Sequence, residues 1–319
     1  MKLRVPAFYR DFACIAGACP DSCCQGWEVD ADPASYYHTL PESEIRRRIF
    51  SVLDQDEYGN TVFRLSDQKR CPFLNSENLC DMHIAIGGEH TLFTCRTFPR
   101  FINDFGALRE MGLSFSCPVA AEMMFDPKYD FSFTEEMNDL PPTLNDIDAR
   151  LYFTLLSARK TAYALVQDDT KPLARCLEEL LDFAEELQGQ IGALPTATEK
   201  MDFRSVFQNP ELINPQWPEK VAAGDLTAPV GESHFGRQIA MYFLFRYFLN
   251  LGLEGDVLSA AKMAVVGVLV PTYFGTDSWV MHLWSKETEH SDVNMERYRR
   301  LLRTADCLSV PALKSRLDT

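Results

Sequence analysis

The stretch Cys14-Ile-Ala-Gly-Ala-Cys19-Pro-Asp-Ser-Cys23-Cys24-Gln-Gly-Trp27 places four cysteines close together near the start of the chain. Four more follow at wider spacing, so that eight of the ten cysteines lie in one region: Cys71, Cys80, Cys95 and Cys117. Free cysteines that only fill a core behave as small hydrophobes and have no reason to gather in one part of a chain. Thiolates are soft ligands for zinc and for iron–sulfur clusters. The grouping therefore predicts a metal site, and the first part of the chain is organised around it.

The spacing of these cysteines names the ligand set only broadly. Four ligands are expected from one group: Cys19, Cys23, Cys24, Cys71, Cys80, Cys95 and Cys117, with Cys14 as an additional candidate. Four thiolates complete a tetrahedral zinc site or hold a [4Fe–4S] cluster, and the spacing matches neither a zinc finger nor the bacterial ferredoxin run. Because Cys23 and Cys24 are adjacent, their side chains point the same way only where the backbone turns sharply.

Polar residues between the cysteines are secondary candidates. His83 and His90 are available as nitrogen ligands, although surface or capping histidines are commoner. Arg96 and Arg100 flank the turn after Cys95. They are candidates for compensating the charge of a thiolate cluster or for binding a cofactor or substrate carboxylate, and an ordinary surface pair explains them equally well.

The charge of the chain restricts its partners. The net charge is −15, with 17 acidic against 12 basic residues up to residue 125 and 29 against 19 beyond it. Sequence-independent binding to nucleic acid needs basic surface, so no nucleic acid partner is expected. An acidic surface attracts a lysine-bearing protein at long range, or simply maintains solubility.

The location of the protein follows from what its sequence lacks. The first residues contain no apolar signal region, and the most apolar windows, 239–253 and 257–270, are too short or too interrupted for a confident membrane span. A cytoplasmic protein without a membrane span is therefore expected. Disulfides are rare in that compartment, which favours metal binding for the clustered thiols.

The predicted fold is mostly α. It has an irregular cysteine-rich metal-binding module with few short strands over residues 1–125 and a helical domain over residues 126–319. An acidic, proline-bearing segment, 126–142, marks the predicted boundary. Hairpin character is expected around 103–107.

Within the helical domain, four helices have clear patterns. Asn145 is a predicted cap for a helix ending near residue 166, and a second helix from residue 173 carries apolar residues at helical spacing, including Cys176 as a core residue. Two nearly uniformly apolar helices are expected at 233–253 and 255–270, with Pro271 ending the second. His282 and His290 follow them and match no metal motif, so they are interpreted as structural.

The cysteine motif also carries a family resemblance. The run Phe12-x-Cys14-Ile-x-Gly-x-Cys19-x-Asp21-x-Cys23-Cys24-x-Gly26-Trp27 resembles the opening of the flagellin lysine N-methylase family. The rest of the pattern continues in the same order: Cys71-Pro-Phe-Leu, Leu79-Cys80, Cys95-Arg-Thr-Phe-Pro-Arg100 and Leu113-Ser-Phe-Ser-Cys117-Pro118. The inner part is similar to bacterial zinc/iron-chelating cysteine-cluster domains. The resemblance covers the region up to about residue 125, and the helical remainder offers no motif.

The resemblance implies an enzyme that transfers methyl groups from S-adenosylmethionine to lysine side chains of flagellin and depends on an iron–sulfur cluster. It identifies neither the S-adenosylmethionine site nor a catalytic residue. The alternative is a non-enzymatic cysteine-cluster protein, with zinc or iron–sulfur in a structural or redox-sensing role. The helical domain over residues 126–319 favours the enzyme, because a structural module has no need of a second large core.

Overall fold

The structure is a computed structural model, and it describes residues 1–27, 30–56, 59–143, 146–192 and 199–318. Its strands within these ranges are β1 Lys2–Pro6, β2 Leu53–Gln55, β3 Thr61–Phe63, β4 Arg100–Phe105, β5 Leu108–Leu113 and β6 Phe133–Met137. Its α-helices are α1 Ala34–Tyr37, α2 Glu44–Val52, α3 Asp81–Ile86, α4 Phe93–Thr97, α5 Pro118–Phe125, α6 Ala149–Val166, α7 Leu173–Ile191, α8 Gln216–Ala223, α9 His234–Leu253, α10 Val257–Phe274, α11 Ser278–Glu289, α12 Asp292–Thr304 and α13 Val310–Leu317. The prediction of a mostly α fold is confirmed.

The chain forms two compact units, each assembled from segments that are separated in sequence. The cysteine-rich unit comprises Ala13–Phe101 and Cys117–Val119, and it contains all eight clustered cysteines. The helical unit comprises Met1–Phe12, Ile102–Ser116 and Ala120–Thr319. This division differs from the one expected at residue 125, because the first strand and the β4–β5 turn region belong to the helical unit.

A small sheet lies in the helical unit and explains that difference. Its strand order is β4-β5-β1-β6, with β1 parallel to β5 and antiparallel to β6. Gly106, with φ of +60°, turns the chain between β4 and β5. The hairpin expected around residues 103–107 is therefore confirmed, whereas β6 lies in the acidic, proline-bearing segment that was predicted as the boundary.

Helices α9 and α10 form the centre of the helical unit. They approach closely at Gly267, where a Cβ atom would lie 2.4 Å from the Phe243 ring, so only glycine fits without movement. Among the described helices, α10 is the one long and apolar enough to cross a membrane, but 89% of that window is buried inside the fold. Such burial is typical of a helix in the core of a fold.

Two predicted helix ends differ from the structure. Pro271 lies inside α10, which continues to Phe274. The proline removes one backbone hydrogen bond, but the surrounding α10 residues are buried and hold the helix together. Asn145 lies outside the described residues, and α6 begins after Asp148, whose carboxylate accepts the N–H of Leu151 at 3.0 Å.

The cysteine-rich unit has a hydrophobic core of its own. Its most buried members, each at most 2% exposed, are Tyr37, Ile49, Phe63, Phe73, Met82 and Leu92. They come from α1, α2, β3, α3 and the loops before α3 and α4. Two of the clustered cysteines, Cys71 and Cys80, pack against this core, so it holds their loop in place.

Candidate metal centre

A tight turn brings the adjacent cysteines together. The N–H of Gln25 donates to the carbonyl of Ser22 at 3.2 Å, with Cys23 and Cys24 between them. The two thiols are hydrogen-bonded to each other. The Trp27 indole donates to the Cys23 carbonyl at 2.7 Å and stabilises this turn. The sharp turn that the adjacent pair requires is therefore present.

Backbone pairing places the loop of Cys71 and Cys80 beside that turn. The N–H of Cys71 donates to the carbonyl of Cys24 at 2.9 Å. The chain then folds back on itself, since the N–H of Asp81 donates to the Phe73 carbonyl at 2.8 Å. Cys80 immediately precedes α3. Three thiols that are far apart in sequence thus converge through main-chain contacts.

Cys95 completes the group from α4. Its flank is held by Arg96, which donates to the Thr91 carbonyl and lies 3.7 Å from the Asp32 carboxylate. Residue Cys95 is exposed as a whole. Burial of its thiol nevertheless raises the pKa, and so do the charges of Cys24, Cys71 and Cys80, while Arg96 opposes them.

Four of these thiols interact in every pairwise combination. The charge of Cys24 raises the pKa of Cys71, Cys80 and Cys95. The charge of Cys80 also raises the pKa of Cys71, and the charges of Cys71 and Cys80 raise the pKa of Cys95. These mutual effects couple the four thiols electrostatically, and Cys23 joins them through its hydrogen bond to Cys24. Which of the cysteines bind a metal stays a prediction.

Hydrogen-bond donors near individual thiols lower the pKa of those thiols, while burial raises it. The hydrogen bond from Cys23 is the largest influence on Cys24, and with Ser22 and the charge of Arg70 it lowers the pKa of Cys24 to about 7. Burial raises the pKa of Cys71 to about 12, against the N–H groups of Phe73 and Leu74. Burial likewise raises the pKa of Cys80, against the N–H groups of His83 and Met82. Hydrogen bonds to sulfur stabilise thiolates in metal sites.

The thiols are more widely spaced than the ligands of a single bound ion. None of the ten cysteines is in a disulfide. Within the described ranges, no three His, Cys, Asp or Glu side chains are close enough together to hold one metal ion. The four-thiol group, defined as Cys24, Cys71, Cys80 and Cys95, is therefore a set of electrostatically coupled thiols and not a formed single-ion site.

The other ligand candidates have individual environments. Cys14 raises the pKa of Cys23 and accepts the N–H of Ala16 at 3.4 Å. Cys19 donates its thiol to the Asp21 carbonyl at 3.2 Å, and Cys117 is buried. His83 and His90 are exposed.

The candidate arginines and the cysteines outside the cluster have clear positions. Arg96 lies next to the four-thiol group through Cys95, and Arg100 begins β4. Cys176 is fully buried on the apolar face of α7, as its spacing predicts. Cys307 is half-buried in the turn before α13.

A buried polar cluster in the helical unit was missed in the sequence. Arg246 donates to the Tyr242 hydroxyl at 2.5 Å and lies 3.1 Å from Glu289, while the Tyr247 and Ser285 hydroxyls also donate to Glu289. Burial raises the pKa of both tyrosines. The available signal was polar residues spaced four apart on apolar helices, at 242 and 246 on α9 and at 285 and 289 on α11.

The chain is similar to proteins of flagellar biosynthesis and lysine methylation. It is 27% identical over 129 residues, or 38% of its length, to Flagellar biosynthetic protein FliU of Salmonella muenchen, covering 76% of that protein. The same identity and length relate it to Lysine-N-methylase of Salmonella choleraesuis and of Salmonella typhimurium, of which it spans 32% each. No family model and no solved structure matches the chain. The named relatives agree with the resemblance carried by the cysteine motifs.

Proposed function

We propose that this chain is a protein lysine N-methyltransferase. It uses S-adenosylmethionine, acts on flagellin or another lysine-bearing protein in the cytoplasm, and depends on an iron–sulfur cluster in its cysteine-rich unit. The observation that carries the proposal is the similarity to two Lysine-N-methylases and to a flagellar biosynthetic protein. Because the chain spans about a third of each methylase, the activity is a proposal for the whole protein.

The four-thiol group fits an iron–sulfur cluster as its ligands. A [4Fe–4S] cluster is held by four cysteine thiolates, and four thiols lie in mutual electrostatic contact here. After the hydrogen bond from Cys23, the charge of Arg70 contributes to the lowered pKa of Cys24. Burial raises the pKa of Cys95, and the charge of Arg96 opposes that rise, so both arginines favour the thiolate form that binds metal. Cys23, bonded to Cys24, would then be a neighbour of the ligands.

The choice of a cluster over zinc rests on the resemblance of the cysteine motifs to the flagellin lysine N-methylase family, which implies an iron–sulfur cluster. One tetrahedral zinc also binds four thiolates, so zinc is the alternative that metal analysis distinguishes.

Methyl transfer to lysine also requires recognition of a cation and removal of its proton. The net charge of −15 attracts a lysine-bearing surface over long distances. S-adenosylmethionine supplies the methyl group when bound. The lysine amine must be neutral to react, so a nearby carboxylate or tyrosinate of this chain has to accept its proton.

The proposal is tested by methyl transfer. The full chain is purified without oxygen and incubated with flagellin and isotopically labelled S-adenosylmethionine, and methylated lysines are identified by peptide mass spectrometry. Label on flagellin lysines is expected with the wild type and with Cys176→Ser, and strongly reduced label with Cys71→Ser. No label from the cluster-loaded wild type on flagellin or on other lysine-bearing proteins would contradict the proposal.

The alternative remains a non-enzymatic cysteine-cluster protein with a structural or redox-sensing role. One observation favours it. The pKa of Cys24 is lowered to about 7, and a thiol with thiolate character near neutral pH is open to oxidation. Reversible oxidation of Cys24 at cellular peroxide levels, in a protein without methyl transfer, would support this alternative.

A further inference from the structure

Cys71 and Cys80 lie at the two ends of one folded-back loop in the cysteine-rich unit. An antiparallel bridge joins Leu74 to Cys80, and the N–H of Asp81 donates to the Phe73 carbonyl at 2.8 Å. Phe73 is 1% exposed and anchors the loop in the core of the unit. The separation of the two thiols therefore depends on how the residues beside each cysteine are held.

One guanidinium contacts the residue that follows each of these cysteines. Arg48 on α2 donates from Nη1 to the Asp81 carboxylate at 2.6 Å and from Nη2 to the Pro72 carbonyl. Pro72 and Asp81 are the residues that directly follow the two cysteines. The guanidinium carbon also lies 5.0 Å from the centre of the Phe73 ring. Arg48 thus joins the two ends of the loop to each other and to α2.

These contacts use the fixed geometry of a guanidinium. Its terminal nitrogens lie in one rigid plane, so the two acceptors that they bind are held at a set separation. The Arg48 side chain is 41% exposed and that of Asp81 is 29% exposed. An ion pair with that exposure contributes little to global stability. We therefore expect the loss of Arg48 to change the loop more than the stability of the whole unit.

A second side chain extends the same network into the loop. Asn75 Nδ2 donates to the other Asp81 carboxylate oxygen at 3.1 Å. Asn75 Oδ1 accepts the N–H groups of Glu77 at 2.9 Å and of Leu79 at 3.0 Å. Each Asp81 oxygen thus accepts a hydrogen bond, one from outside the loop and one from within it. The turn between the two cysteines and the residue after Cys80 are held together by this network.

We propose that Arg48 is a positioning residue for Cys71 and Cys80. Through its contacts with the residue after each cysteine, it holds the two thiols in the arrangement that a metal centre requires. Groups that orient metal ligands without binding the metal commonly control metal affinity. The proposal rests on the metal site of the proposed function, in which these two cysteines are expected ligands. It applies to zinc and to an iron–sulfur cluster alike, because both need thiolates at fixed positions.

The test measures metal retention and needs no methyl transfer. The full chain is purified without oxygen, its iron and zinc are measured, and the EDTA concentration that removes half of the metal is determined. Arg48→Met keeps an unbranched side chain over the Phe73 ring but removes the donors, and it should lower that EDTA concentration by about 10- to 100-fold. Arg48→Lys keeps the charge without the planar fork and should give an intermediate loss.

The chain offers a matched control and a partner variant. Arg47 is exposed on the same helix, so Arg47→Met removes the same charge and should leave metal retention unchanged. Asp81→Ala removes the acceptors of Arg48 and Asn75 and should also weaken retention. Its combination with Arg48→Met should lose less than the two single losses combined, because both variants break the same contact.

A second readout separates positioning from general destabilisation. In the protein as purified, hydrogen exchange of peptides covering residues 71–81 should be faster in Arg48→Met than in Arg47→Met. Exchange elsewhere in the cysteine-rich unit, and the urea concentration at the midpoint of unfolding, should be the same in the two variants. A merely structural role would instead lower that midpoint and increase exchange throughout the unit.

Several outcomes would overturn the positioning role of Arg48. Unchanged metal retention in both Arg48→Met and Asp81→Ala would do so, as would equal losses in Arg48→Met and Arg47→Met. Loss of metal together with faster exchange throughout the unit would assign Arg48 to general stability. A wild type that holds no metal after attempted cluster reconstitution would refute the metal site and this proposal with it. Metal retained by the wild type without methylation of flagellin refutes only the enzyme.

Discussion

Replacement of Arg159 by methionine is expected to destabilise the helical unit by about 3 kcal/mol. Arg159 on α6 is 1% exposed, and its guanidinium makes two hydrogen bonds to the fully buried Glu110 on β5, at 2.6 and 2.8 Å. Methionine keeps most of the side-chain length but removes the charge. The buried Glu110 carboxylate then loses its main partner.

The magnitude follows from what remains around Glu110. Removing one member of a buried ion pair costs about 3–5 kcal/mol, because the other charge stays buried without compensation. Arg4 still donates to Glu110 at 2.9 Å and is itself only partly exposed. This residual pairing places the expected cost at the lower end of the range.

The assay is urea-induced unfolding followed by circular dichroism, with the free energy of unfolding compared between variants. Arg10→Met is the matched control, since Arg10 pairs with Glu136 at 2.5 Å but both side chains are exposed. Its expected cost is below about 1 kcal/mol. The double variant Glu110→Gln with Arg159→Met should recover part of the loss, because no uncompensated charge is left. Equal costs for Arg159→Met and Arg10→Met would refute the reasoning.

Three further predictions concern the thiols and a helix cap. Cys71→Ser should lower the metal content of the purified protein and Cys176→Ser should not, as measured by elemental analysis; equal content in both would contradict the four-thiol group. In metal-free protein, the rate of iodoacetamide alkylation of Cys24 should rise with pH through about 7, because the thiolate forms in that range. Cys71 has a pKa of about 12 and should stay unreacted there. Peptide mass spectrometry distinguishes the two cysteines, and equal alkylation rates for both would be inconsistent with the Cys23 hydrogen bond to Cys24. Asp148→Ala removes the cap of α6 and should cost about 1 kcal/mol of unfolding free energy, and a cost near zero would argue against that cap.

Local patterns were sufficient where one element carries its own signal. The face of α7 that includes Cys176 is buried as its spacing predicts, and the hairpin around residues 103–107 is present. In each case the information lies within a few turns of helix or one tight turn.

Long-range contacts decide what the sequence left open. The pairing of β1 with β6 joins residues about 130 positions apart, and nothing in either strand names its partner. The pKa of Cys24 is lowered first by its hydrogen bond with the adjacent Cys23, but also by the charge of Arg70, which is distant in sequence. Pro271 stays helical because buried neighbours outweigh one lost hydrogen bond.

The burial of Glu287 on α11 was invisible for the same reason. A glutamate on a helix is ordinarily a surface residue. Only the packed fold reveals that Glu287 is fully buried and that its Oε1 atom accepts the N–H groups of Ile213 and Asn214.

The iron and acid-labile sulfide content of the protein, purified without oxygen, tests the four-thiol site most directly. About four irons and four sulfides per chain are expected, as for one [4Fe–4S] cluster. Both should fall together when Cys24, Cys71, Cys80 or Cys95 is replaced by serine. Zinc alone after attempted cluster reconstitution, or full iron content in all four variants, would contradict the cluster and its ligands.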